Sequence, residues 1–159
     1  MTRVGTPVDF VRAAAAGVVG TGTMTALWMV EPSIGLPKIA VGHILSTFMS
    51  VSVAHLRVGN VGGWIAHFAF GVLLALLYAR FVAPRLPGVP EVRGALYGTL
   101  LFIAAQLVFM PLVGGGFFAR GDIQLLAGSL LGHLVYGVVV GWIYDLPFTS
   151  RPVVAPLPR

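Results

Sequence analysis

Cysteine is absent from this chain, and charge is nearly so. The first absence removes disulfides, thiolate metal sites and cysteine nucleophiles. The second excludes more. Only 9% of the 159 residues are charged, against about a quarter in soluble domains, so the chain cannot dress a water-facing globular surface. Acidic side chains are the scarcest: Asp9, Glu31, Glu91, Asp122 and Asp145 are the whole set. They sit at the edges of apolar runs and make no acid–base pair. Gly114-Gly115-Gly116 leads into Phe117-Phe118, with neither the Lys-Ser/Thr nor the preceding strand of a phosphate loop. Soluble enzyme, disordered tail and nucleic-acid binder are excluded together, and no catalytic constellation is left.

What is present is oil. Apolar residues make up 57% of the chain and the mean hydropathy is +0.93. Five stretches lack Asp, Glu, Lys and Arg: Ala13–Val30, Ile39–Leu56, Val58–Ala79, Gly94–Ala119 and Ile123–Tyr144. Each approaches the ~20 residues that a spanning helix needs. The second is not a span. It holds His43, Ser46, Thr47, Ser50, Ser52 and His55, and Arg57 alone separates it from the next. Two antiparallel spans joined there would strand loop backbone in lipid. On a helical wheel His43, Ser46, Thr47 and Ser50 oppose Ile44, Leu45, Phe48, Met49 and Leu56, the pattern of an amphipathic interfacial helix over about 38–56. The reading is an all-α membrane domain over 1–145, with spans over about 12–31, 60–80, 93–113 and 123–145. A Pro-rich cytoplasmic tail follows at 146–159. Ala13–Val30 is long for a signal peptide and is followed by no small-residue cleavage site, so it reads as a retained first span.

The net charge of +5 comes from ten scattered basic residues, nine of them Arg, which form no nucleic-acid patch and read as topology signals. With the N-terminus inside, Arg3, Arg12, Arg80, Arg85, Arg93, Arg151 and Arg159 are cytoplasmic, leaving Lys38, Arg57 and Arg120 outside. That split obeys the positive-inside rule, whereas five spans would send Arg80, Arg85 and Arg93 outward. Trp28, Trp64, Trp142, Tyr78 and Tyr144 lie near span ends, as an aromatic belt expects.

The chain also resembles itself. At an offset of 66, His67-Phe68-Ala69-Phe70-Gly71 lies over His133-Leu134-Val135-Tyr136-Gly137, and Tyr78 over Tyr144. At an offset of 81, Arg12 lies over Arg93, Gly17 over Gly98 and Met29 over Met110. The pattern predicts two duplicated in–out–in hairpins of one orientation, with the interfacial helix inserted in the first.

Read at intervals of four, the second span gives Gly63, His67, Gly71 and Ala75; the fourth gives Ser129, His133, Gly137 and Gly141. Small residues at that spacing let helix backbones approach closely. The same reading of the first and third spans yields Thr25 and Gln106. At ~1.5 Å per residue, His67, His133, Thr25 and Gln106 reach similar depths, one polar side chain per helix in one layer. Polar groups in lipid turn inward to partners. Three roles for the layer follow. It is interhelical glue in a small accessory or assembly subunit of a larger inner-membrane complex, such as a respiratory one, or in a homo-oligomer. It is a b-type haem site with His67 and His133 as axial ligands, although no Arg at that depth meets the propionates. Or it is part of a small permease or proton conduit, which an embedded carboxylate would favour and which the sequence does not obviously supply. His43 and His55 read as headgroup-level polar residues, and Glu31 as a cap or surface charge within reach of Lys38 or Arg57.

Trp64-Ile65-Ala66-His67-Phe68 with Gly71 and Tyr78, His133 with Tyr136, Gly137 and Tyr144, and Gly35-Leu36-Pro37-Lys38 before the short helix are familiar together. Through them the chain, from about Val11 to Tyr144, resembles an uncharacterised family of small four-helix bacterial membrane proteins. The resemblance implies the four-span fold and a bacterial inner-membrane location, and implies no activity. Tags on either terminus are expected to be protected outside intact cells and exposed on inverted vesicles; accessibility of either from outside would refute the charge-based orientation.

Overall fold

A computed structural model describes residues 8–52 and 58–146, and they are helical throughout, with no strand among them. Four segments are long and apolar enough to cross a membrane: Phe10–Ile34, Gly59–Val82, Pro90–Leu112 and Ile123–Asp145, called here the first to fourth spans. A fifth, shorter helix covers Val41–Ser52. The stretch Ile39–Leu56 thus contributes no spanning helix among its described residues. Leu56, His55 and Arg57 lie outside the described residues, as does the tail from Pro147 onward.

The sequence starts and ends these helices where the physics requires. Asp9 accepts a hydrogen bond from Arg12 N at 2.9 Å, and Asp122 accepts one from Leu125 N at 3.0 Å, so carboxylates satisfy orphan amides at two N-termini. Pro90 occupies the first turn of the third span, where its missing N–H costs nothing. Within the second and third spans a single wide π turn interrupts the α pattern, at Tyr78–Val82 and at Ala105–Phe109. Each lies just before a proline, Pro84 or Pro111, which cannot donate to the ladder and crowds the turn behind it. The loop after the third span closes with a left-handed turn, Phe118, Ala119 and Arg120 at φ 45°, 48° and 54°. Arg120 holds it by donating to Gly114 O at 3.0 Å.

The spans form an open arc. The third packs most extensively on the fourth, the fourth on the first, and the first on the second, while the short helix leans on the second. The second and third spans meet mainly near the end that carries the first and last described residues, where Tyr97 donates to Leu74 O at 2.8 Å. Lipid offers no hydrophobic drive between helices, so the contacts rely on backbone proximity. Gly137 lies against the backbone of Gly94 and Gly98, and Gly17 against Gly71 and Val72. Gly63 abuts Gly42 of the short helix, and Gly141 abuts Pro90 and Gly94. All four stripe glycines, Gly63, Gly71, Gly137 and Gly141, are buried.

Arginines seal the terminal end. Arg93 pairs with Asp145 and donates to Ala83 O at 2.9 Å; Arg12 donates to Tyr144 O at 3.2 Å and Leu146 O at 3.3 Å. Both reach the unsatisfied carbonyls at the end of another span. Of the aromatic residues expected in an interfacial belt, Trp142 is exposed, but Trp28 and Tyr78 are buried inside the bundle.

The close approach at Gly137 is directly testable. A Cβ there would press on Gly98 Cα at 2.8 Å, whereas a Cβ at Gly22 meets nothing within 4 Å. Gly137→Ala should therefore lower unfolding stability in detergent by about 1–3 kcal/mol. Gly22→Ala should leave it unchanged or raised. Equal stabilities would mean that the packed backbones are not what holds the third and fourth spans together.

Candidate functional site

Midway along the bundle the four expected polar residues are found on four different helices, joined as two pairs. On one side the Thr25 hydroxyl and His67 Nε2 share a hydrogen bond of 3.1 Å. On the other, Gln106 Nε2 donates to Ser129 Oγ at 3.1 Å, and His133 Nδ1 lies 2.7 Å from Ser129 O. A backbone carbonyl only accepts, so His133 carries its proton on Nδ1 and leaves Nε2 as a bare acceptor when neutral. Among the described residues no group bonds that Nε2.

Trp28 joins the pairs. Its indole stacks on His67 with centroids 5.8 Å apart, meets His133 edge-on at 6.2 Å, and donates from Nε1 to Gly128 O at 3.2 Å. Gly132 opposite makes room for it, since a Cβ there would reach indole Cε2 at 2.6 Å. The sequence placed Trp28 in an interfacial belt because belt and core tryptophans both fall near span ends. Only the rotational phase, with Thr25 and Thr21 one and two turns before it on the same buried stripe, could have shown otherwise.

The indole bears on the haem reading. Axial ligation by two histidines needs both imidazoles to face one iron from opposite sides. Here one indole lies against both rings, His67 Nε2 is engaged by Thr25, and His133 Nδ1 by its own helix. These residues do not fit a bis-histidine haem as they stand.

What the site does provide is space. A cavity of about 330 Å³ lies in the gap between the second and third spans, with the short helix along its side. His67, Gln106, Ser129 and His133 supply the main polar groups of an otherwise largely apolar wall. Phe70 and Phe109 meet edge to face at 5.8 Å, and Phe48 of the short helix stacks on Phe109 at 4.2 Å. Gln106 is only 2% exposed, and its Oε1 has no hydrogen-bond partner. It sits in the π turn before Pro111, where the wide turn shifts side-chain phase relative to the α pattern. Toward the terminal end the cavity is closed by Tyr136, which donates to Gly71 O at 2.6 Å, and by Thr21, which donates to Gly17 O at 2.7 Å.

Ser129 and Tyr136 are therefore part of the centre, although in the sequence Ser129 stands out only by its place in a stripe and Tyr136 by its place in a motif. Glu31 is a larger surprise. It is neither a surface charge nor paired with Lys38: it is wholly buried, with neither oxygen hydrogen-bonded among the described residues. A Cβ at Gly128 would lie 2.6 Å from its Oε2, which is how a carboxyl group fits between the first and fourth spans. A carboxyl group buried within the protein thus stands one turn beyond Trp28. His43 is exposed on the short helix and takes no part.

A search of curated proteins and a search of solved structures each found no match to the chain. A family model does match, over residues 7–153, nearly the whole length. On that match, this small four-span protein belongs to the family of unknown function DUF6789.

Proposed function

We propose that the protein is a non-catalytic binding unit of the bacterial inner membrane, whose working part is the cavity between the second and third spans. The observation that carries this reading is the cavity's composition: a lipid-side space of about 330 Å³ with apolar and aromatic walls and a few convergent polar groups. Sites for small molecules have this make-up and begin at roughly this size. An apolar molecule in the bilayer would enter sideways, since the second and third spans touch little along the gap. Among the described residues no domain stands outside the bilayer to act on such a molecule. We therefore infer an accessory role beside a larger membrane complex, with both termini in the cytoplasm as the basic residues direct.

A duplicated hairpin is consistent with this architecture. Gly17 on Gly71 in the first hairpin and Gly98 beside Gly137 in the second are close approaches at positions equivalent under the offsets of 81 and 66. Arg12 and Arg93, equivalent under the first offset, each donate to carbonyls at a span terminus.

The conduit reading gains Glu31 but lacks a route. Between the histidine level and the Arg93–Asp145 pair lie Ala13, Ala16, Ala75 and Val140, each with no accessible surface. That alanine and valine layer is a barrier to an ion, broken by the hydroxyls of Thr21, Tyr78, Tyr97 and Tyr136, three of which are already committed to backbone carbonyls.

The test is saturable binding of hexylbenzene to protein in nanodiscs, with empty nanodiscs subtracted. One site is expected. Ala105→Trp, which places an indole where Ala105 lines the cavity, should abolish binding while the protein still unfolds cooperatively. Absence of saturable binding, or binding indifferent to Ala105→Trp, would remove this reading.

A further inference from the structure

Hydrogen bonds have a direction, and two beside the cavity leave an acceptor behind them. Gln106 spends its amide N–H on Ser129 Oγ, leaving Oε1 buried and unpartnered on the cavity wall. His133 spends its N–H on Ser129 O, leaving Nε2 without a partner among the described residues. Both side chains flank Ser129, so the two free groups belong to one polar corner on the third and fourth spans. Both are acceptors. The hydroxyl of Tyr136, which lines the same cavity, is already committed to Gly71 O. Beside the Ser129 hydroxyl and the second Gln106 N–H the corner thus presents two acceptors that no donor meets among the described residues, and an unsatisfied buried acceptor carries a desolvation cost until a ligand supplies a donor.

The remaining walls say what the rest of that ligand is. Trp28, Phe70 and Phe109 present rings to the cavity, with Phe70 edge-on to Phe109 at 5.8 Å, an arrangement that suits a further aromatic ring. We propose that the cavity selects a membrane-soluble phenol, including the hydroquinone form of a quinone, whose O–H is received by His133 Nε2 and Gln106 Oε1. The corresponding quinone or ether brings only acceptors and is discriminated against. This rests on the reading of the cavity as a binding site and adds the chemical class of what it binds. No bond is made or broken: the selection is by hydrogen-bond direction alone.

The experiment compares three probes of similar length on the unaltered protein in nanodiscs, each corrected for partitioning into empty discs: 4-hexylphenol, its methyl ether and 1-decanol. The phenol should bind about tenfold or more tightly than the ether, the difference expected when an apolar site loses the donor its acceptor needs. It should also bind more tightly than the aliphatic alcohol. In Gln106→Leu/His133→Phe the preference for phenol over ether should fall to within about threefold, because both acceptors are gone. Ether binding as tightly as phenol would overturn the donor requirement while leaving the cavity reading intact. The alcohol matching the phenol would overturn the aromatic part. If none of the three binds, the cavity reading fails together with this one. The comparison on the unaltered chain needs no variant to fold.

Discussion

Where water is absent, a polar group must find its partner within the protein, and every close contact must be made without a hydrophobic push. That constraint organises this bundle. Packing is achieved by removing side chains. Gly17, Gly63, Gly94, Gly98, Gly137 and Gly141 bring backbones together where any Cβ would collide with a neighbouring helix. The polar residues are then distributed among the few positions where such approach leaves a partner in reach. Thr25 meets His67, Ser129 meets both Gln106 and His133, and Tyr136 meets Gly71 O. The glycine contacts fix the distances at which those bonds are possible, so packing and polarity are one design constraint.

Under the same constraint the groups that stay unpaired are informative, and they differ in kind. Tyr78 OH and Arg93 Nε are orphaned at the terminal end, in a region crowded by Tyr144, Asp145 and Gly141. Arg93 already holds Asp145 and Ala83 O with its other nitrogens, so its remaining N–H is the residue of a site that is otherwise satisfied. Glu31 has no hydrogen-bond partner among the described residues, and its carboxyl group is fitted into the notch left by Gly128. Gln106 combines an oxygen unpaired among the described residues with an adjacent space large enough for a ligand. Orphaned polarity next to a void is a different object from orphaned polarity next to packed atoms.

Much of the fold was legible because lipid makes the rules strict. Span limits expected at about 12–31, 60–80, 93–113 and 123–145 fall within a few residues of Phe10–Ile34, Gly59–Val82, Pro90–Leu112 and Ile123–Asp145. The crowded polarity of Ile39–Leu56 argued against a span, and its described part is a short helix. The four polar residues and the small-residue stripes were also readable, since both follow from spacing along one helix. What was not legible is which helix touches which, and at what rotation. Trp28 and Trp142 look alike in the sequence, yet one lies between two histidines and the other faces outward. Glu31 stands beside a proline at a span end, where exposed and buried carboxylates give the same pattern; Gly128, which receives it, is nearly a hundred positions away. The wide turn at Gln106 depends on Pro111 acting backwards along the helix, an effect that no α-helical wheel includes.

Trp28 shows how the two histidines came to suggest a metal and why the arrangement points elsewhere. Two imidazoles at one depth on helices of matching sequence invite an iron between them, because sequence reports depth and not what lies in the gap. The Trp28 indole packs against both rings, and its own N–H is taken by Gly128 O, which fixes its plane. With that plane fixed, His67 is held between a stacked ring and the Thr25 hydroxyl, while His133 is held by an edge contact and the carbonyl of Ser129. The first ring is enclosed, being only 8% exposed, and serves the packing. The second keeps a bare nitrogen and part of its surface beside the cavity. Equivalent in sequence, the two histidines are therefore inequivalent in chemistry. One imidazole ties two helices together through Thr25, and the other keeps an acceptor beside the cavity.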